Sequence, residues 1–318
     1  FHRVSPEHLA GDFMSSKRAI VILNRGSGRQ NGDQAESTIR SAFARHGITA
    51  EFIHIDKRND PASAARQALS MAKGIIAVAG GDGTISGVSS AMKDQDRPLG
   101  IIPQGTFNYF ARSMGIPEDL QEAVDVIAGG ESRAVHVATI NGETFLNNAS
   151  IGAYPAILKT REGIYRRWGR SRIAAYWSVI KALIDFRTSL KLTIVVDGKE
   201  TGLRTPLVFA VNNAFQLDQM GLAGQDCIAR GDMVLLVAPD TYRFGLLRHA
   251  VALATGMAKH HTDYEMLCGS EIEIRMKQRK RYVARDGEIA VMKGPYRLTR
   301  ATSPIHIFVP RASGKDVR

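Results

Sequence analysis

The densest group of residues able to do chemistry is Gly80-Gly81-Asp82-Gly83-Thr84. Its three glycines let the backbone turn sharply and let phosphate oxygens reach amide N–H groups. An apolar run, residues 74–79, precedes the string, and a helical pattern over 84–92 follows it. The amides of the string therefore lie at a helix N-terminus, whose partial positive charge favours an anion. Thr84 is placed to cap that helix or to hydrogen-bond a phosphate. Asp82 is the odd member. A carboxylate beside phosphates repels them unless a divalent cation lies between, so it points to Mg²⁺. The bland alternative is a tight strand-to-helix turn with an Asp cap.

A second string, Pro103-Gln104-Gly105-Thr106-Phe107-Asn108, again follows an apolar run, residues 99–102. Two parallel strands that each end in a Gly-Thr turn put both turns on the carboxyl edge of one sheet, where α/β proteins bind ligands. Thr106 and Asn108 then offer short polar side chains to one ligand, unless the string is only a capped turn. A third signal, Asp286-Gly287-Glu288, lies far along the chain between two strand patterns. Asp-Gly is a common hairpin turn; the functional reading is a base or a metal carboxylate. Other phosphate and nucleophile signatures are missing. There is no G-x-x-x-x-G-K-[ST] and no G-x-S-x-G, and Gly26-Ser27-Gly28 has the wrong third spacing for a dinucleotide fingerprint.

These strings sit in a chain whose first half alternates strand and helix. Strands are expected over 19–23, 51–55, 74–79 and 99–102, and helices over 33–46, 61–72, 84–92, 108–114 and 120–128, with Asp60 capping the second. That order implies a parallel sheet covered by helices. The second half reads as short strands, at 134–140, 144–148, 190–196, 206–212, 233–238, 271–276, 282–285, 289–292 and 305–309. Helical stretches at 165–186 and 244–258 interrupt them. We expect an α/β domain over 14–133, a mainly antiparallel β-sandwich over 134–303, and a final strand over 304–311 returning to the first domain. Residues 1–13 carry no clear periodicity and no signal-peptide core, and stand outside this reading.

Composition narrows the function classes. The 318 residues are 44% hydrophobic and 23% charged, which argues against disorder. No apolar run reaches the length of a membrane span. Only Cys227 and Cys268 occur, without C-x-x-C spacing, so we expect buried thiols and a reducing cytoplasm. A net charge of +11 points to an anionic partner: a nucleotide, nucleic acid or an anionic membrane surface.

The ordered set of Gly80-Gly81-Asp82-Gly83-Thr84, then residues 103–111, then an isolated Asp286-Gly287-Glu288 resembles the diacylglycerol kinase catalytic-domain family. Within it, the chain is most similar to soluble bacterial lipid kinases related to sphingosine and ceramide kinases. Asn24-Arg25-Gly26-Ser27-Gly28 resembles the family's N-P-x-S-G loop, with Arg25 where Pro is usual. Asn147-Asn148-Ala149-Ser150-Ile151-Gly152 resembles the first strand region of the family's second domain. The resemblance implies an NAD kinase- or phosphofructokinase-like α/β domain, a β-sandwich, and a nucleotide cleft between them. It implies ATP against Asn24, Ser27, Gly80, Gly81, Asp82, Gly83, Thr84, Thr106 and Asn108, and Mg²⁺ at Asp82. Glu288 is its first candidate for the base that accepts the proton of a lipid hydroxyl, and Asp286 its second. The family's acidic D-G-x-L-D stretch is replaced by Arg230-Gly231-Asp232-Met233-Val234, where only the shifted Asp232 remains as a candidate metal ligand; either Asp218 or Asp226 substitutes, or the auxiliary metal site is absent. An NAD kinase-like or other small-molecule kinase, and a catalytically weak nucleotide-binding regulator, are the rival readings.

Basic surfaces complete the picture. Lys159, Arg161, Arg166, Arg167, Arg170 and Arg172 are interleaved with Ile164, Tyr165 and Trp168, as suits an interfacial segment on an anionic membrane; the bland alternative is a solvated charged loop followed by a core helix. A second basic run, residues 275–281, reads as a hairpin tip. No nucleic-acid module accompanies these runs, so nucleic acid is not expected as a partner. His260 and His261 lack a third ligand at metal spacing. We therefore expect a cytoplasmic protein, peripherally bound to membrane, whose exposed sheet edge leaves room for a homodimer.

Overall fold

The computed structural model describes residues 17–27, 32–56, 58–71, 73–129, 131–152, 155, 189–240, 264–278 and 280–311. Gly28, the basic segment 159–172, the helical stretches 165–186 and 244–258, His260, His261 and residues 1–13 lie outside them. The chain divides into two compact units, residues 1–137 with 301–318, and residues 138–300.

In the first unit, β1 (Arg18–Leu23), β2 (Thr49–His54), β3 (Ile75–Gly80) and β4 (Leu99–Pro103) are parallel, and β5 (Glu131–Val135) and β18 (Ile305–Val309) complete the order β2-β1-β3-β4-β18-β5. Ile20, Ile22, Val78, Ile101 and their neighbours are fully buried, as expected of strands covered on both faces. The helices are α1 (Gly32–Arg45), α2 (Pro61–Ser70), α3 (Asp82–Met92), α4 (Tyr109–Ser113) and α5 (Leu120–Gly129). Ile39 and Phe43, four residues apart, bury one face of α1. Asp60 caps α2 by accepting the Ser63 N–H at 2.9 Å, with Pro61 at the first helical position. The chain leaves β1 for one neighbour, β2, and returns to the other, β3. The strand order thus reverses at β1 and β3, and their carboxyl ends flank the crevice where such sheets take ligands.

The second unit contains two antiparallel sheets. One has the order β10 (Lys199–Thr205), β9 (Leu190–Val196), β14 (Glu271–Met276), β17 (Tyr296–Arg300), β6 (Ala138–Ile140), β7 (Glu143–Phe145). The other runs β13 (Glu265–Gly269), β12 (Met233–Val237), β11 (Leu207–Val211), β8 (Asn148–Gly152), β15 (Lys280–Arg285), β16 (Glu288–Lys293). Ile140, Phe145, Ile194 and Tyr296 of the first sheet pack with Ile151, Val208, Leu235 and Val283 of the second in one buried cluster, so the pair is a sandwich. On the opposite face of the second sheet, α6 (Ala214–Gln219) and α7 (Gln225–Ala229) border a smaller cluster that includes Phe209, Leu217 and Val234. Asn141-Gly142, Asp197-Gly198 and Asp286-Gly287 all have positive φ at both residues, which makes each a two-residue hairpin turn of the primed type.

Several expectations change. The runs 134–140 and 144–148 are not single strands: β5 pairs with β18 in the first unit and β6 with β17 in the second, while β7 joins β6 in one sheet and β8 joins β11 in the other. The short helices α6 and α7 lie outside the expected elements. β10, β13 and β17 were not expected as strands. β10, Lys-Glu-Thr-Gly-Leu-Arg-Thr, is an exposed edge strand with no apolar alternation to betray it. Finally, Cys227 and Cys268 are not free thiols. They form a disulfide that ties α7 to β13 across 41 residues of sequence. No local spacing signals this pair, because β13 itself brings Cys268 beside α7.

Closing a loop of that size stabilises a fold by about 3–4 kcal/mol through chain entropy. Reduction, or the double change Cys227→Ser with Cys268→Ser, should therefore lower the denaturant midpoint of the second unit. Equal midpoints with and without reductant, with the bond verified by mass, would show that the cross-link stabilises nothing.

Candidate functional site

Three loops meet at the carboxyl edge of the first sheet because β1, β3 and β4 are adjacent. The turns after β3 and β4 are tied by the Gln104 N–H donating to the Gly80 carbonyl at 2.8 Å. They approach so closely that a Cβ on Gly105 would lie 2.9 Å from the Gly81 Cα, and one on Gly81 would lie 3.3 Å from the Gly105 Cα. A side chain at Gly105 would force the two turns apart, and one at Gly81 would make the contact tight. The loop after β1 is joined to the same centre by Asn24. Its backbone N–H donates to the Ala79 carbonyl at 3.0 Å, its Nδ2 donates to the Thr84 Oγ1 at 2.8 Å, and its Oδ1 accepts from the Gly26 N–H at 3.0 Å.

Gly81 is the N-cap of α3 and supplies no side-chain cap. The first amides of α3 have no acceptor within the helix. Asp82, at the first helical position and half-buried, accepts the Phe110 N–H at 3.2 Å and so pulls α4 towards α3. Gln104 Nε2 is buried without a hydrogen-bond partner among the described residues. A close-approach backbone, a helix N-terminus whose N-cap brings no side chain, and an unspent buried donor together suit an anion rich in acceptors.

The sequence candidates divide by exposure. Thr106 is exposed and Ser27 half-buried at the same edge. Asn108 is buried at that edge. It is 4% exposed, has left-handed backbone (φ 50), and spends its amide inside the protein. Its Oδ1 accepts the Gly105 N–H at 2.7 Å, and its Nδ2 donates to the Gly105 carbonyl at 3.2 Å and to Glu118 at 2.8 Å. Asn108 therefore holds Gly105 against Gly81. Arg25, which stands where Pro was expected, bonds Glu36 at 2.8 Å and lies 3.3 Å from Asp33. An ion pair fastens this loop to α1 in place of a rigid ring. Glu36, Gln104 and Glu118 are participants that motif reading missed.

In the second unit, Asp286 is 7% exposed. Its Oδ2 accepts the Leu146 N–H at 2.7 Å, and its Oδ1 accepts the N–H groups of Asn147 and Asn148 at 2.8 and 3.1 Å. The same stretch is fixed from α6. Asn213 donates to the Asn147 Oδ1 at 2.7 Å, and Asn148 donates to the Gln216 Oε1 at 3.1 Å. Glu288, two residues beyond Asp286, is exposed at the start of β16. Asp232 faces Arg230 at 3.9 Å. No three His, Cys, Asp or Glu side chains gather as a metal cluster among the described residues. Among the described residues, Asp232 joins no such cluster with other acidic or His side chains.

Residues 18–140 match the family described as diacylglycerol kinase catalytic domain. A diacylglycerol kinase of Bacillus subtilis is 27% identical over 314 residues, covering 95% of this chain and 99% of that protein. One from Staphylococcus haemolyticus is 34% identical over 138 residues, 43% of this chain and 42% of that protein. A crystal structure of a diacylglycerol kinase from Bacillus anthracis superposes with TM-score 0.69 at 21% identity, covering 93% of this chain and 98% of that one. That likeness shows the fold. The sequence match confirms the resemblance to the family that the motifs carry.

Glu36 provides a test of the loop's fastening. Arg25 above all, then His54 and Arg40, hold its carboxyl well below the usual range, at about 2, against the opposing effect of burial. Its unfolded value is near 4.3. A depressed carboxyl contributes stability that is fully present above the unfolded value and is lost as pH falls towards the folded one. Glu36→Gln should therefore flatten the fall in stability between about pH 4.5 and 2, measured by denaturant midpoints. An unchanged acid limb would mean that Glu36 does not fasten the loop in solution.

Proposed function

We propose that the protein is an ATP-dependent lipid kinase, transferring the γ-phosphoryl group to a lipid hydroxyl of the diacylglycerol or sphingoid type. The observation that carries this reading is the N-terminus of α3, whose N-cap Gly81 brings no side chain, set directly against the Gly81–Gly105 contact between the turns that follow β3 and β4. The similarity to diacylglycerol kinases supports the choice of acceptor class.

In this reading the amides of Gly83 and Thr84 receive phosphate oxygens. Asn24 keeps Thr84 in place, Gln104 spends its buried donor on the same anion, and Thr106 and Ser27 line the edge. Asp82 would hold Mg²⁺, which neutralises phosphate charge as the phosphoryl group moves. Most of the catalysis is positioning and charge neutralisation, with a carboxylate taking the hydroxyl proton. Glu288 is the better base of the two candidates. Asp286 has committed both oxygens to three backbone amides, whereas Glu288 is exposed. Asp286 then acts as a positioning residue: it fixes the hairpin turn from which Glu288 projects. The protein would work at the cytoplasmic face of a membrane, where its +11 charge favours an anionic surface.

The reading is tested by Mg²⁺-dependent phosphate transfer from labelled ATP to a lipid extract, with the product identified by mass. Glu288→Gln should lower turnover by about 100-fold or more with little change in the KM for ATP. Asp82→Ala should lower turnover and steepen the demand for Mg²⁺. Transfer to NAD with none to any lipid would favour the small-molecule kinase. ATP binding without transfer to any acceptor would favour the regulatory module.

A further inference from the structure

Among the described residues, three large hydrophobic side chains are exposed: Phe107, Tyr282 (49%) and Val291 (60%). Phe107 stacks on Tyr109 at the nucleotide edge. The other two are direct cross-strand partners in the β15–β16 hairpin. Side chains alternate along strands, so the pair shares one face with Lys280 and Lys293, which are also opposite each other and exposed. The other face of the hairpin turns inward through Val283 and Met292, which pack in the sandwich core.

Two features need explanation together. Like charges directly opposite on a sheet repel, and neither lysine has an ion-pair partner among the described residues, although Arg275 nearby is paired with Glu273 and Glu200. Lysines on an edge strand do guard against sheet-to-sheet pairing. That role does not account for an aromatic and a β-branched residue held in water beside them. Cations next to an exposed Tyr are what an anionic bilayer surface accommodates: the charges meet headgroups while the apolar pair enters the interface.

We infer that the outer face of the β15–β16 hairpin, through Tyr282, Val291, Lys280 and Lys293, docks on an anionic lipid surface. The inference rests on the lipid-kinase reading for its purpose, since Glu288 lies on the same strand three residues from Val291, about 10 Å along it. Three residues is an odd step, so Glu288 turns to the face opposite Val291; docking there holds the strand that carries the proposed base beside the headgroups without placing its carboxylate on the docked face. The surface itself stands on the exposure and charge of these four residues.

The test is sedimentation with vesicles of phosphatidylcholine, with or without phosphatidylglycerol. The parent should bind the anionic vesicles only. Lys280→Glu with Lys293→Glu should weaken that binding by about tenfold or more. The control Lys191→Glu with Lys199→Glu, which makes the same change in net charge at exposed positions, should weaken it far less. Tyr282→Ser with Val291→Ser should remove the part of the binding that survives high salt. Thermal midpoints of all variants verify folding, and turnover of a short-chain soluble acceptor should stay at the parent level. Loss of that turnover in the parent would overturn the kinase reading and leave the docking result standing. Parent-like vesicle binding by both hairpin variants, or equal weakening by the control, would overturn the docking surface. A parent dimer that Tyr282→Ser with Val291→Ser dissolves, with vesicle binding unchanged, would assign the face to a second copy of the chain instead.

Discussion

The first unit is organised by a contact between two backbones. Gly81 and Gly105 approach so closely that a Cβ on Gly105 would lie 2.9 Å from the Gly81 Cα, and three adjacent strands deliver their loops to that point. The contact is maintained indirectly. Asn108 clamps Gly105 from both its N–H and its carbonyl, Asp82 ties α4 back to α3, and Asn24 joins the β1 loop to Thr84. Asn108 and Asp82 act on the backbone of a neighbouring turn, and Asn24 on the Thr84 hydroxyl. The N-cap of α3 brings no side chain of its own. In the proposed reading, a phosphate site made this way needs few side chains that touch the ligand, because its geometry is carried by the main chain.

The second unit solves a different problem with the same economy. A buried carboxylate is costly unless its oxygens are hydrogen-bonded. Asp286 receives three backbone N–H groups from the stretch leading into β8, about 140 residues earlier in the chain. Asn213 and Gln216 hold the same stretch from the other side. The result is a rigid seat for one hairpin turn, from which Glu288 is presented at the surface. Removing one member of a satisfied buried network strands the others, so the group is expected to behave as a unit.

Much of this was legible in the sequence, for a physical reason. Strands buried on both faces, such as residues 74–79 and 99–102, announce themselves as continuous apolar runs, and glycine-rich strings at their ends mark the turns. Asp286-Gly287 was equally legible as a hairpin turn, because its backbone demands that residue pair. What the sequence does not record is which partner each side chain takes. Asn108 reads as an exposed ligand donor until its bonds to Gly105 and Glu118 are seen. Asp286 reads as a free acid until amides far away in sequence claim it. Cys227 and Cys268 read as thiols because nothing local says that β13 brings them together. The run 134–140 read as one strand because hydrophobicity does not record that its two ends join different sheets.

The central claim is that the Gly81–Gly105 contact builds the phosphate site, and Gly105→Ala tests it most directly. The added Cβ would lie 2.7 Å from the Asn108 Oδ1 and 2.9 Å from the Gly81 Cα, so the two turns must separate. Titration calorimetry with ATP and Mg²⁺ should show at least about tenfold weaker binding for this variant, roughly 1.4 kcal/mol, while the thermal midpoint stays near that of the parent. A folded Gly105→Ala protein that binds ATP as tightly as the parent would contradict the account.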